Sequence, residues 1–293
     1  MQNNEPYYVV GVASGLAARD SVAAEGPKVL RNSSFLPKKL PLEWVEILQP
    51  EPGTQVMQQV AALGQRLADI VDSLVSAKRR FLVLGGDHSC GVGTWSGAAN
   101  ALRPQGEIGL IWVDAHLDAH TPKTSESGNI HGMPVASLLG YGDQALTHLF
   151  NWAPKIKPEH LCYIGVREYE PAERALIEGL GVRVFWMEEV HQRGIYSVLQ
   201  EAIKRVKLQT VAFGVSIDID AIDPRDAPAT GVTVSAGIEG DALCKAMQLL
   251  AAEPALLGVE LAEFAPAYDK DNKTEKLIGE LLACLNKVNE PLS

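Results

Sequence analysis

The sequence predicts an α/β protein of three layers, an α/β/α arrangement with a mostly parallel sheet of about eight strands, in a single domain over residues 1–293. Three observations predict it. Short, almost wholly apolar runs such as Ile108 to Val113 (IGLIWV) lack the alternation of a half-solvated strand and suit strands covered on both faces. Segments with apolar residues at helical spacing alternate with these runs, which is the rhythm of βαβ units. No long polar linker or internal repeat interrupts the alternation, and 293 residues can bury a substantial core.

Taken in order, Tyr7 to Val12 is the first strand, a short helix begins near Pro27, and Leu42 to Leu48 is a second strand. Thr54 to Ala77 reads as a helix through Val56, Val60, Leu63, Leu67, Ile70, Val71 and Leu74. Phe81 to Leu84 is a strand that runs into Gly85-Gly86-Asp87-His88-Ser89, where glycines permit close backbone approach and present His88 at a strand end. Ile108 to Val113 follows, and then helical Met133 to Leu139, a strand His160 to Val166, and a helix Pro171 to Leu180. Strands Val182 to Trp186 and Thr210 to Ile217 flank a helix Ile195 to Lys207. The chain closes with a helix Ile238 to Ala251, a strand Leu256 to Leu261 ending near Glu263, and a helix Thr274 to Val288. The rhythm alone does not separate an open doubly wound sheet from a closed barrel.

Composition excludes several functions. Lys plus Arg total 26 against 36 Asp plus Glu, a net charge of -10, so neither nucleic acid nor an anionic membrane surface is an expected partner. The start MQNNEPYYVVGVASG lacks signal-peptide features and no apolar run approaches the ~20 residues of a membrane span, so a cytoplasmic location is expected. Cys90, Cys162, Cys244 and Cys284 form no C-x-x-C pair and read as packed thiols, Cys90 behind the GGDHS motif.

The chemistry concentrates at three strand ends. Asp114, His116, Asp118 and His120 fall at every second residue after Val113, so an extended backbone continuing past the strand would project all four to one side. Asp218 and Asp220 repeat the spacing before Pro224. His88, Asp114, His116, Asp118, Asp218 and Asp220, two imidazoles and four carboxylates, are too many for one zinc and suit two adjacent divalent ions with a water between them. Each group alone could be a capping histidine or a solvated acidic turn. Their shared position at carboxyl ends of parallel strands, where open α/β sheets place sites, argues otherwise.

The motifs GGDHS (85–89), DAHLD (114–118), SGNIHGMP (127–134) and SIDIDAIDP (216–224) resemble the ureohydrolase family, which includes arginases and agmatinases. The resemblance implies an open, doubly wound sheet and a binuclear manganese site. In it Asp114 and Asp218 bridge, His88 and Asp118 complete one metal, and His116 and Asp220 complete the other. Thr124, Ser127, Asn129 and His131 match the arginase form of the loop between ligand groups. Two positions depart from it: His120 stands where arginases usually carry Asn near the substrate α-carboxylate, and Glu170 where they usually carry Asp near the α-amino group. Glu173 matches a family acid at the same end.

The expected reaction is hydrolysis of a small guanidino substrate, L-arginine to L-ornithine and urea, by a metal-bridging hydroxide. Asp118 would receive its proton, His131 would relay protons to the leaving amine, and Glu263 would hold the guanidinium. The substrate-binding set is then His120, Ser127, Asn129, Glu170 and Glu173. A homo-oligomer, trimer or hexamer, is expected. Agmatine, a guanidino acid or a formimino amino acid is the competing substrate class, and a non-catalytic metal-binding protein is the reading from another class.

Overall fold

The computed structural model describes residues 5–18, 22–53 and 55–286. Its eight strands are β1 (Tyr7–Val12), β2 (Leu42–Leu48), β3 (Phe81–Gly85), β4 (Ile108–Val113), β5 (Leu161–Ile164), β6 (Arg183–Phe185), β7 (Ala212–Asp218) and β8 (Leu256–Ala262). They form one sheet in the order β2-β1-β3-β8-β7-β4-β5-β6, and every pairing is parallel. β2 and β6 are its edges, so the sheet is open rather than closed.

Between the strands run α1 (Gly26–Arg31), α2 (Val56–Ser76), α3 (Cys90–Leu102), α4 (Pro134–Leu138), α5 (Gln144–Thr147), α6 (Pro171–Gly179), α7 (Met187–Arg193), α8 (Ile195–Val206), α9 (Gly240–Ala251) and α10 (Lys273–Ala283). Alternate strand residues feed two cores. Leu82, Ile111, Phe213 and Val215 pack with α8, α9 and α10, while Val83, Leu110, Trp112 and Tyr163 pack with α2 and α3. This is why the strands read as continuous apolar runs: both faces are covered.

β3 and β4 lie on opposite sides of β8 and β7, so the connections leave in opposite directions at the sheet centre. That reversal opens a crevice at the carboxyl ends of the strands. Register aligns those ends, Leu84 with Leu261 and Val113 with Ile217, so the segments after β3, β4, β7 and β8 emerge at one level.

Three helices escaped the sequence reading: the four-residue α5, α3 and α7. α3 (CGVGTWSGAANAL) is buried over most of its surface and has no polar face to produce a period. Its glycines are packing residues: a Cβ on Gly93 or Gly97 would sit 2.5 Å from Gly64 O or 2.3 Å from Ala68 O of α2. α7 is a short helix that Gly194, at φ 78°, terminates before α8. Other elements stand within a few residues of expectation. The predicted ends Thr54 and Val288 lie outside the described residues, and α10 finishes at Ala283.

Candidate metal centre

Why the strand ends can carry a site is visible in their loops. A Cβ on Gly86 would lie 2.0 Å from Ser14 O, so only glycine lets the GGDHS turn press against the loop after β1. Asp87 ties the two together, accepting from Ala17 N at 3.2 Å and Ser89 N at 3.1 Å. Ala17 O in turn accepts from Ile130 N and His131 N, fixing the His131 loop to the same brace.

The extended backbone expected after β4 does not persist. The strand stops at Val113, and Asp118 takes φ 48°. Asp114, His116 and Asp118 still converge on the crevice, but His120 is turned away to a different part of the pocket. Likewise Asp218 closes β7, and Asp220 sits in the following 3-10 turn, its N–H donating to Asp218 Oδ1 at 2.8 Å.

His88 Nδ1 lies 3.0 Å from Asp218 Oδ2 and 3.3 Å from both Asp114 Oδ2 and Asp118 Oδ2. His116 Nδ1 is 3.0 Å from Asp220 Oδ2 and 3.5 Å from Asp114 Oδ1. Two donor groups result, each compact enough for one ion: His88, Asp114 and Asp218, and Asp114, His116 and Asp220. They share Asp114. Asp118 belongs to neither but stands at the edge of the first, its Oδ2 buried without a hydrogen-bond partner.

Four buried carboxylates with two imidazoles repel one another unless cations lie among them. The titration shifts express this. Burial, then the Asp114 charge, raises Asp118 to about 7, and burial with Asp220 and Asp114 raises Asp218 well above the usual range. Burial opposes the charged forms of His88 and His116, yet the surrounding aspartates raise both. Burial also opposes the Asp114 carboxylate, which the two histidines nevertheless hold well below the usual value. Two divalent ions carry +4 against the -4 of the four aspartates, so the donor set fits a pair of hard or borderline divalent ions.

Beside this floor, His131 Nδ1 is 3.1 Å from Glu263 Oε1, which also accepts from His88 N at 2.8 Å. Glu263 holds φ 67° just past β8, with its own N–H on Gly86 O at 2.7 Å. Burial works against His131 protonation, but the hydrogen bond and charge of Glu263 lift it to about 9. The other end of the pocket carries Ser127, Asn129, Glu170 and Glu173 with His120. His120 Nε2 is 3.2 Å from Glu173 Oε2 and 3.6 Å from Glu170 Oε2, and its Nδ1 is 3.2 Å from Thr124 Oγ1. Glu173 is buried and not a solvated helix charge; it accepts from Ala119 N and Glu170 N, both at 3.1 Å.

The expected metal, catalytic and substrate-binding residues therefore line one pocket, with Asp114 at its floor. The sequence profile of the arginase family matches residues 6–286. The chain belongs to the arginase family. It is 35% identical to the arginase of Bacillus caldovelox, over 96% of this chain and 98% of that protein. The crystal structure of arginase from Bacillus cereus superposes with a TM-score of 0.90 at 32% identity, covering 98% of this chain and all of that one (100%). Arginase of Entamoeba histolytica, solved in complex with L-ornithine, gives 0.89 at 28% identity over 97% and 99% of the two chains.

In this arginase-family chain, sequence reasoning missed the residues beneath the ligands. Trp112 Nε1 donates to Asp114 Oδ2 at 2.8 Å and its ring stacks on His88 with centroids 4.2 Å apart. Ser216 Oγ is 2.9 Å from His88 Nε2. Both stand two residues before a ligand on the same strand, and that period-2 offset was the available signal. Cys90 does more than pack, since its thiol donates to the buried Glu260 Oε1 at 3.1 Å. Arg167, also missed, clamps Asp220 O and Val234 O, each at 2.7 Å.

Proposed function

We propose that this protein is a binuclear-metal hydrolase that converts L-arginine to L-ornithine and urea, with manganese in both positions. The observation that carries the reading is the pair of donor groups sharing Asp114 at the floor of a pocket that also holds the His131–Glu263 pair. A binding module needs no proton carrier there. His88, Asp114, Asp118 and Asp218 would hold one ion and His116, Asp114, Asp218 and Asp220 the other, the carboxylate-rich sets suiting manganese. Such a pair of ions supplies an activated water, lowering its pKa from roughly 15.7 toward ~7.

The chain's own groups do the rest. Glu263 spends Oε1 on His88 N and His131, leaving Oε2 to pair with the guanidinium and hold its carbon toward the floor. Asp118, whose Oδ2 lacks a donor, takes the proton of the attacking water. His131, protonated at neutral pH and partly open to solvent, gives a proton to the leaving δ-amine and is reloaded from outside. At the far end, Ser127, Asn129 and His120 face the α-carboxylate, while Glu170 and Glu173 face the α-ammonium. The L-ornithine bound to the Entamoeba arginase supports an amino-acid product of this kind.

No helix among the described residues is long and apolar enough to cross a membrane. A cytoplasmic, homo-oligomeric enzyme, trimer or hexamer, completes the proposal. Urea release from L-arginine, agmatine, guanidino acids and formimino amino acids tests it: arginine should be turned over fastest, and agmatine as the preferred substrate would replace this reading with the competing one.

A further inference from the structure

Arg174 in α6 stands between two acids at helical spacing, Glu170 four residues before it and Glu178 four residues after. On a helix the carboxylate on the N-terminal side is the better partner for a cation at that spacing. The structure shows the opposite choice. Arg174 Nε donates to Glu178 Oε1 at 2.7 Å, and among the described residues the Glu170 carboxylate pairs with no Lys or Arg. Two aromatic rings account for the choice. The Arg174 guanidinium carbon lies 5.2 Å from the ring centroids of both Tyr169 and Trp186, within the range of cation–π attraction, and its Nη1 donates to the Tyr169 hydroxyl at 2.8 Å. The rings also pack on each other, with centroids 5.1 Å apart and an interplanar angle of 58°.

We infer that Tyr169 is a specificity-determining residue: with Trp186 and Glu178 it holds the Arg174 guanidinium away from Glu170, and so keeps that carboxylate for the ammonium of the substrate. Tyr169 lines the pocket between Glu168 and Glu170, whereas Trp186 directly precedes α7. The clamp therefore joins the rim to a neighbouring helix start and draws the cation toward the second. Were Arg174 to turn back onto Glu170, it would occupy the acid that an α-ammonium needs and stand as a like charge beside it. Substrates with that ammonium, L-arginine and agmatine, would then be held less well. The guanidino acid that is arginine without its ammonium would lose nothing, since it makes no use of Glu170. The inference rests on the reading that Glu170 faces the α-ammonium.

The test measures kcat and KM of the manganese-loaded enzyme for L-arginine and agmatine, with the ammonium-free guanidino acid as an inhibitor. Tyr169→Ala/Glu178→Gln releases the guanidinium. It should raise KM for both ammonium substrates about two- to fivefold, the scale of an exposed ion pair, with kcat and the inhibition constant of the guanidino acid near wild type. Adding Arg174→Ala should bring KM back toward wild type, which a merely structural role for Tyr169 would not do. No rise in KM, a rise shared by the guanidino acid, or a rise that Arg174→Ala leaves in place overturns the inference. Should Tyr169→Ala/Glu178→Gln not fold, Glu178→Gln alone, at an exposed side chain, must show the selective rise at smaller size, and its absence overturns the inference. Wild type that turns over neither arginine nor agmatine overturns the reading beneath as well, whereas wild type active on arginine beside unmoved variants overturns this inference alone.

Discussion

The floor and the rim of the pocket are made from different parts of the chain. His88, Asp114 and Asp218 emerge from β3, β4 and β7 at aligned registers, and none is more than 3% exposed. Each is held by a neighbour, His88 by Ser216 and Trp112, Asp114 by Trp112, and Asp218 by Asp220 N of the turn that follows it. The rim residues Ser127, Asn129 and Glu170 sit on loops, and the Glu170 side chain is 51% exposed. Moving a floor ligand means moving a strand with both its cores, while moving a rim residue means changing a few loop hydrogen bonds. In the proposed function, the floor would therefore set the reaction and the rim would set which guanidino compound is held against it.

The sharpest test of that division is at the floor. Asp218→Asn removes one charge from a site where His88 Nδ1 and Asp220 N both depend on it. It should lose bound manganese and turnover together, with activity down by three or more orders of magnitude, on the order of 10³-fold. Full metal content with retained activity, by elemental analysis and urea assay, would show that the floor tolerates what the rim tolerates.

One level up, His131→Ala should lower kcat on the order of 10²- to 10⁴-fold with both ions retained, since a proton carrier is asked only to move protons. Loss of metal in that variant would make His131 part of the floor. Its pairing has a pH signature in the metal-free protein. Because Glu263 raises the folded-state value to about 9 from 6.5, the proton is held more tightly in the fold. The stabilisation is complete below about 6.5 and fades as pH rises through about 9. The stability gap between wild type and Glu263→Gln should close over that window; a gap that widens with pH contradicts the pairing.

The same contrast explains what the sequence could reveal. Floor ligands were legible because a parallel sheet buried on both faces writes apolar runs, and polar residues at period 2 stand out at their ends. Their supports were harder to see: Trp112 and Ser216 read as ordinary strand residues, and although each stands two residues before a ligand, the His88 imidazole that Ser216 holds is 128 residues away. α3 stayed hidden because its glycines serve close contact with α2. At the rim, spacing misled. His120 shares the alternate phase of Asp114, His116 and Asp118, yet the left-handed turn at Asp118 sends it to Glu173.

The smallest effect is expected at that residue. Both ring nitrogens of His120 already have partners, Thr124 Oγ1 and Glu173 Oε2, and the ring stands 3.6 Å from Glu170. Burial opposes protonation of His120, but the hydrogen bond with Glu173, followed by the charges of Glu173 and Glu170, raises its pKa, so the two acids favour the charged imidazole. Replacing it with Asn keeps a donor but removes the imidazole that stands between Glu170 and Glu173. A partly solvated polar contact is worth about 0.5–1.5 kcal/mol, roughly two- to tenfold in affinity. His120→Asn should therefore change KM for L-arginine by a factor of roughly two to ten while kcat and metal content stay near wild type. Agmatine lacks the carboxylate, so its KM should respond less, and the arginine-to-agmatine preference should shift with the substitution. A His120→Asn enzyme with altered kcat or lost manganese would show that the rim reaches into the floor. One whose preference is unmoved would place substrate selection on Ser127, Asn129 and Glu170 instead.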